Sequence, residues 1–247
     1  MALVALTQVA GGVGTTTLAA NLTTLWPVDS RILLELGITG GSLMRVMGFD
    51  AQASGVPASL SDLVGDGYDL GLSEVSAPGL AGLAPEKWEL PVAPAPIIPD
   101  FPHPGEPIWW QRRVDLALST NLDVIVDLGR VAPEHMGIHN RVLNASTIVL
   151  VVVRNIEEAR HAVARLTLYR ERLAIVVISR FRSTPEEITD ATEGVLCAEV
   201  LPFDEDIAIH LWRNVLVTEP KAKKPSKHYL DGVSHLATYL RGKGSNA

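Results

Sequence analysis

QVAGGVGTTTLAANL, running from Gln8 to Leu22, links two very different kinds of sequence. Before it, Ala2 to Val9 is short and apolar and reads as a buried strand. After it, Thr15 to Leu25 places Leu18, Leu22 and Leu25 on one helical face, and Pro27 ends the helix. Between them lies a turn, Ala10–Gly14, rich in glycine. Glycines let the backbone wrap closely around a cluster of oxygens. A helix N-terminus adds N–H groups without intrahelical partners and the positive end of a dipole. A glycine turn between a strand and a helix is the setting that a phosphate-binding loop requires.

Outward from this loop the pattern alternates. Ile32–Leu36 reads as a second strand, Gly37–Gly41 as a loop and Ser42–Met47 as a short helix. Pro107–Ser119 reads as a helix, and Asp123–Asp127 and Thr147–Val153 as buried strands. A helix over Ile156–Arg172, a strand over Leu173–Ser179 and a helix over Thr184–Gly194 follow. The strand Leu196–Leu201 runs into Pro202-Phe203-Asp204, and a helix over Tyr229–Leu240 closes the chain. Strand–helix–strand units make parallel sheets. The expected fold is therefore a single α/β domain over residues 1–247: a doubly wound, mainly parallel sheet with helices on both faces. Residues 49–107 interrupt the alternation. LPVAPAPIIPDFPHPGEP, from Leu90 to Pro107, is too rich in proline for a central strand or a helix. The segment reads as a surface excursion with a short helix around Leu60–Val64 and an edge strand near Ala81–Leu83. A functional insertion and a plain covering loop are both open readings of it.

Composition narrows the function. Of 247 residues, 47% are hydrophobic and 20% charged, which excludes a mostly disordered chain. The longest apolar run, Thr147 to Val153, is far short of the ~20 residues that span a bilayer. The opening MALVALTQV lacks the basic start of a signal peptide. Cys197 is the sole cysteine, so neither a disulfide framework nor a cysteine-based zinc site is expected. These features fit a reducing, cytoplasmic compartment. His135 and His139 are spaced for one helix face, but no third ligand accompanies them. The net charge of −7 argues against unspecific duplex DNA as a partner. Six lysines occur in the chain, and none precedes Lys87.

The glycine loop resembles the deviant Walker A motif of the ParA/MinD family, K-G-G-x-G-K-[ST]-T. Here it reads Ala10-Gly11-Gly12-Val13-Gly14-Thr15-Thr16-Thr17. The glycines match, and Thr16 matches the hydroxyl that binds Mg²⁺. Both lysines are absent: Ala10 stands at the signature lysine and Thr15 at the ordinary P-loop lysine. Arg31 to Gly48 looks like the second strand and first switch. Gly37 stands there in place of the water-positioning aspartate, and Glu35 matches an acidic position two residues earlier. Val124 to Arg130 looks like the Walker B strand and second switch, with Asp127 and Gly129 kept. Ile175 to Phe181 is similar to the strand whose end supplies an asparagine to the base, here Ser179. Leu201 to Ala208 is similar to the P-x-D loop near the base, with Pro202 and Asp204. The resemblance covers nearly the whole chain outside the excursion. It leans toward the TadZ/CpaE-like pilus-assembly branch of this SIMIBI-class family.

The resemblance implies a nucleotide site of Gly11, Gly12, Val13, Gly14, Thr15, Thr16, Thr17, Ser179, Pro202 and Asp204. It implies ATP as ligand and Mg²⁺ held by Thr16 and Asp127. Asp127 also has a plain reading as a buried acid bonded to the loop, and the structural reading of Glu35 outweighs a catalytic one. Asp127 and Arg130 are the only catalytic candidates. Arg130 is either a substitute cation toward the γ-phosphate or an ordinary solvent-facing arginine. Phosphoryl transfer depends on positioning and charge neutralisation, so loss of both lysines predicts weak nucleotide binding and slow or absent hydrolysis. The expected protein is a pseudo-ATPase that serves as a positioning, scaffold or regulatory factor. It would dimerise and act with a pilus or secretion, cell-division or partition machine, in the cytoplasm or peripherally at a pole. A working ATPase rescued by an arginine or a partner is the alternative. In residues 221–247 the cluster Lys221 to Lys227 reads as a linker or as a contact to phosphate or anionic lipid. The apolar face of the last helix fits core packing better than membrane contact. Trp109 and Trp110 mark either an interface or a cap on the core.

Overall fold

The computed structural model describes residues 1–36, 73–76, 89–93, 114–115, 118–119, 121–131, 136–180, 183–204 and 227–244. The chain begins with β1 (Leu3–Gln8), α1 (Thr15–Thr24) and β2 (Arg31–Glu35), followed by β3 (Ser73–Ser76), β4 (Glu89–Ala93) and β5 (Asp123–Arg130). It continues through α2 (Met136–Ala145), β6 (Ile148–Val153), α3 (Ile156–Arg165) and a 3₁₀ helix (Thr167–Arg172). β7 (Leu173–Ser179), α4 (Pro185–Ala191), β8 (Leu196–Pro202) and α5 (Lys227–Gly244) complete it. Residues 114–115 and 118–119 are helical, inside the stretch expected to be so.

The strands form one sheet in the order β3-β4-β2-β5-β1-β6-β7-β8. All neighbouring pairs are parallel except β3 with β4. The fold is thus the doubly wound α/β sheet expected from the alternation. From β1 the chain crosses to β2 on one side and later, through β5, to β6 on the other. Strand order therefore reverses around β1, and in such sheets ligands bind beyond the carboxyl ends of the strands at the reversal. The glycine loop follows β1 directly.

Two apolar layers hold the helices. On one sheet face Val4, Leu6, Leu33, Ile125 and Val152 pack against Leu18 and Leu22 of α1 and Val233, Leu236 and Leu240 of α5. On the other, Val126, Val149, Val151 and Val177 pack against Val142 of α2, Ala159 and Val163 of α3 and Ile188 of α4. Strands buried on both faces read as continuous apolar runs, which is why β6 and β7 stand out in the sequence. α1 is buried although it is rich in polar residues. Thr23 and Thr24 donate to the carbonyls of Ala19 and Ala20 at 2.8 Å, and Asn21 to that of Thr17 at 2.8 Å. Bonding back one turn satisfies these groups inside the core.

Three readings change. Glu89–Ala93 is a strand flanked by β3 and β2, although it lies partly in the proline-rich run. Pro91 stands opposite Glu74 of β3, and β2 registers only with Val92 and Ala93, so the missing N–H falls ahead of the β2 ladder. The helix expected over Ile156–Arg172 ends at Arg165 and tightens into the 3₁₀ turn. There the Thr167 hydroxyl donates to Val163 and Ala164 carbonyls, and Tyr169 turns inward to donate to Asn140 Oδ1 at 2.8 Å. α2 was not anticipated from the sequence. The expected elements at Ser42–Met47, Leu60–Val64 and Ala81–Leu83 lie outside the described residues.

At the amino ends of the strands, the Asp123 carboxylate gathers three elements. It accepts from Ala2 N at 2.7 Å, Trp26 Nε1 at 2.9 Å and Arg241 Nε at 3.3 Å. Burial alone would raise this carboxyl, but the bonds from Trp26, Ala2 and Arg241 hold it below its ordinary value.

Candidate functional site: the loop after the first strand

The loop keeps the shape of a phosphate cradle. Gly12 (φ 73°) and Gly14 (φ 90°) take left-handed backbone, which other residues adopt only with strain. Gly11 has no such φ, and a Cβ placed there would meet nothing within 4 Å. Among the described residues nothing occupies the space beside Gly11. Val13 is buried against the core and anchors the loop, leaving only its backbone to face outward. Gly14 is the N-cap of α1 and supplies no side-chain cap, so the orphan N–H groups of the first turn are not closed by the cap residue.

The side chain at the lysine position points elsewhere. Thr15 is buried, and its hydroxyl donates to Gln8 Oε1 at 2.6 Å. The loop is therefore tied to the end of β1 by a neutral bond where the resembled motif carries an ammonium group. Sequence reasoning did not single out Gln8. A polar residue closing a buried strand was the available signal.

Thr16 and Asp127 are brought together. The Thr16 side chain hydrogen-bonds the Asp127 carboxyl, which also accepts from Gly129 N at 2.9 Å. Gly129 takes a left-handed φ of 60°, and its carbonyl accepts from Thr7 Oγ1 at 3.1 Å, fixing the turn at the end of β5. Asp127 is only 2% exposed, and among the described residues it forms no salt bridge. Burial lifts its carboxyl above the ordinary value, with the Thr16 and Gly129 bonds opposing the rise. Glu35, also buried, is its register neighbour on β2, and adjacent residues of parallel strands share a sheet face. A hydroxyl and a buried carboxylate beside a glycine turn are oxygen donors of the kind that Mg²⁺ takes. These residues fit the ion. Thr16 and Asp127 would hold it, and the backbone of residues 11–17 would hold phosphate, with Thr17 following in the first helical turn. Bound there, Mg²⁺ would neutralise phosphate charge.

The expected base end also assembles. Ser179, at the carboxyl end of β7, accepts from Phe203 N through its carbonyl at 2.9 Å. A Cβ at Gly14 would lie 3.6 Å from Ile178, so the loop and this strand end are adjacent. Pro202 ends β8, and the Arg180 guanidinium lies 4.5 Å from the centre of the half-exposed Phe203 ring. Asp204 sits close enough to Tyr229 of α5 to act on it. Burial, with Asp204, raises the Tyr229 phenol against a hydrogen bond with Asn21 of α1.

Other candidates fall apart from this constellation. Arg130 is exposed at the end of β5, in register with Gln8. The apolar face of α5 (Tyr229, Val233, Leu236, Ala237, Leu240) is buried in the core, and only Lys227 of the basic cluster is described. His139 is buried with Nε2 3.4 Å from the Leu36 carbonyl. Among the described residues no cluster of three His, Cys, Asp or Glu side chains could form a separate metal centre, and no helix is long and apolar enough to cross a membrane. Gly37, Lys87, Trp109, Trp110 and His135 lie outside the described residues.

No family model and no characterised protein matches the sequence. Solved structures do match the fold. The MinC:MinD cell division protein complex of Aquifex aeolicus aligns with a TM-score of 0.66 and 18% identity, covering 98% of this chain and 96% of that one. A ParA family ATPase from Chlorobium tepidum aligns at 0.62 and 18%, over 97% and 100% of the chains. The cell division ATPase MinD of Pyrococcus furiosus aligns at 0.60 and 19%, over 98% and 99%. At such identities the likeness concerns architecture, and the architecture of this chain is that of the MinD and ParA ATPases.

Proposed function

We propose that this protein is a ParA/MinD-like placement factor with a degenerate Walker A loop. It binds nucleotide weakly and turns it over slowly or not at all. It serves as a scaffold or regulator in pilus or secretion assembly, cell division or partition, as a cytoplasmic homodimer or peripherally at a pole or membrane machine. The observation that carries this reading is the divided state of the loop: Thr16 still meets Asp127, while Thr15 is turned onto Gln8. Leaving one partner of a buried charge pair without the other costs about 3–5 kcal/mol. At about 1.4 kcal/mol per decade, that is roughly a hundred-fold or more in affinity. The cation on the transferring phosphoryl group accounts for about 10³–10⁵ in rate, so turnover suffers more than binding. Titration of ATP into the purified protein with Mg²⁺, alongside a turnover assay, tests the proposal. Binding with negligible hydrolysis supports it, and turnover at ordinary ATPase rates overturns it.

A rescued ATPase is the second reading. Arg130, exposed at the strand end beside Gln8, is what favours it. Arg130→Ala should then abolish turnover. An unchanged ATP dissociation constant and rate would remove Arg130 from the site.

A further inference from the structure

We infer that Gln8 is a phosphate-contacting residue of this loop, donating to the bound nucleotide from its side-chain Nε2 while Thr15 holds the amide in place. The inference rests on the nucleotide-binding reading above and adds to it a residue that lies outside the glycine motif.

The strand puts Gln8 where the loop closes. Its backbone is fixed on both sides, in register with Arg130 of β5 and Val152 of β6, and its carbonyl accepts from Val131 N at 3.3 Å. Side chains alternate along a strand, so residues two apart share a face. Val4 and Leu6 of β1 lie in the apolar layer under α1, and Gln8 follows them onto that side. There it meets Thr15, the first residue of α1, whose hydroxyl donates to Gln8 Oε1 at 2.6 Å. The bond joins the two ends of the loop. Residue 15 is short and residue 8 is long, so it is the glutamine that carries a polar head to the start of the helix.

A carboxamide has one acceptor end and one donor end. Thr15 engages the acceptor, which orients the amide and presents Nε2, with its two N–H donors, on the other side. Gln8 is half-buried, and Gly11 and Gly12 of the loop are exposed, so a ligand reaches this end of the strand. Beside it stands the first turn of α1, whose N-cap Gly14 makes no side-chain hydrogen bond to its N–H groups. Backbone N–H groups at a helix N-terminus bind phosphate. A side-chain amide held at the same end adds a neutral donor to that set. Gln8 is thus a binding residue and Thr15 a positioning one.

Isothermal titration of ATP with Mg²⁺ into wild type and residue-8 variants, with folding confirmed by circular dichroism, separates contact from scaffolding. Gln8→Glu keeps an oxygen for the Thr15 hydroxyl but exchanges the N–H₂ donor for a second carboxylate oxygen. A glutamine that only tied the loop ends together would be replaced by glutamate without effect on affinity. The expected result is binding weaker by about ten-fold or more, the worth of one hydrogen bond to a charged group. Gln8→Lys sets an ammonium at the same point and should bind ATP more tightly than wild type. A smaller loss in Gln8→Glu, or a folded Gln8→Lys protein that binds no more tightly than wild type, would overturn the inference while leaving the nucleotide site standing. Absence of ATP binding by the wild type would overturn the nucleotide-binding reading and this inference with it.

Discussion

Replacing Asp127 by asparagine should make the ligand-free protein more stable, at the expense of the site. Asparagine keeps the volume and an oxygen for the Gly129 N–H, now 2.9 Å away, and can still bond the Thr16 hydroxyl. Two bonds to a charged acceptor become neutral ones, a loss of about 1 kcal/mol each. Against this, the variant removes a buried charge that forms no salt bridge among the described residues, and an uncompensated buried charge costs about 3–5 kcal/mol. The balance favours Asp127→Asn by roughly 1–3 kcal/mol, or about 2–12 °C in Tm for a chain of this size. The pH dependence gives the sharper test. The folded Asp127 carboxyl titrates above the 3.8 of a free aspartate because burial disfavours its charge. Below that value both folded and unfolded wild type hold the proton, and burial carries no charge penalty. As pH rises through the folded value, wild type loses stability that the amide keeps. Thermal unfolding followed by circular dichroism should therefore show the two proteins alike in acid, with the gap opening toward neutrality. A gap that does not change with pH, or a variant less stable at neutral pH, would refute the reasoning.

Asp123→Ala removes the acceptor shared by Ala2, Trp26 and Arg241 and should cost about 3 kcal/mol, lowering Tm by roughly 6–12 °C in a thermal melt. Because Asp123 titrates below 3.8 when folded, its contribution is whole above that pH and fades as pH falls through the lower folded value, so acid should narrow the difference from wild type. Gly244→Ala would place a Cβ 2.7 Å from Ala2 Cβ and 3.3 Å from its Cα, costing about 1–3 kcal/mol in denaturant unfolding. Gly232→Ala would place a Cβ 2.6 Å from the Cδ2 methyl of buried Leu201 and 3.9 Å from Glu199 Cγ. This overpacking, of about 1–3 kcal/mol, is offset by the roughly 1 kcal/mol that the helix gains from alanine, so the variant should destabilise by about 0–2 kcal/mol in the same assay. Burial pushes the Cys197 thiol up to about 12, so Ellman's reagent should leave it unmodified until the protein unfolds.

The alternation of strands and helices, the glycine loop and the candidacy of Thr16 and Asp127 were all legible in the sequence, because each is written in local order. A strand buried on both faces must be apolar throughout, as Ile148–Val153 and Leu173–Ser179 are. A left-handed turn must carry glycine, as at Gly12 and Gly14. Pairings between distant residues leave no such local mark. The bond from Thr15 back to Gln8 depends on how the loop closes over the end of β1. The Asp123 hub joins residues up to 121 positions apart, and nothing near Trp26 or Arg241 announces it. Strand β4 forms in proline-rich sequence, with its register on β2 beginning only at Val92, past Pro91. The closing helix is amphipathic on paper, and an apolar stripe serves a membrane or a core equally well. Only the sheet face that receives Val233, Leu236 and Leu240 decides between them, since apolar surface has no partner of its own until the tertiary structure provides one.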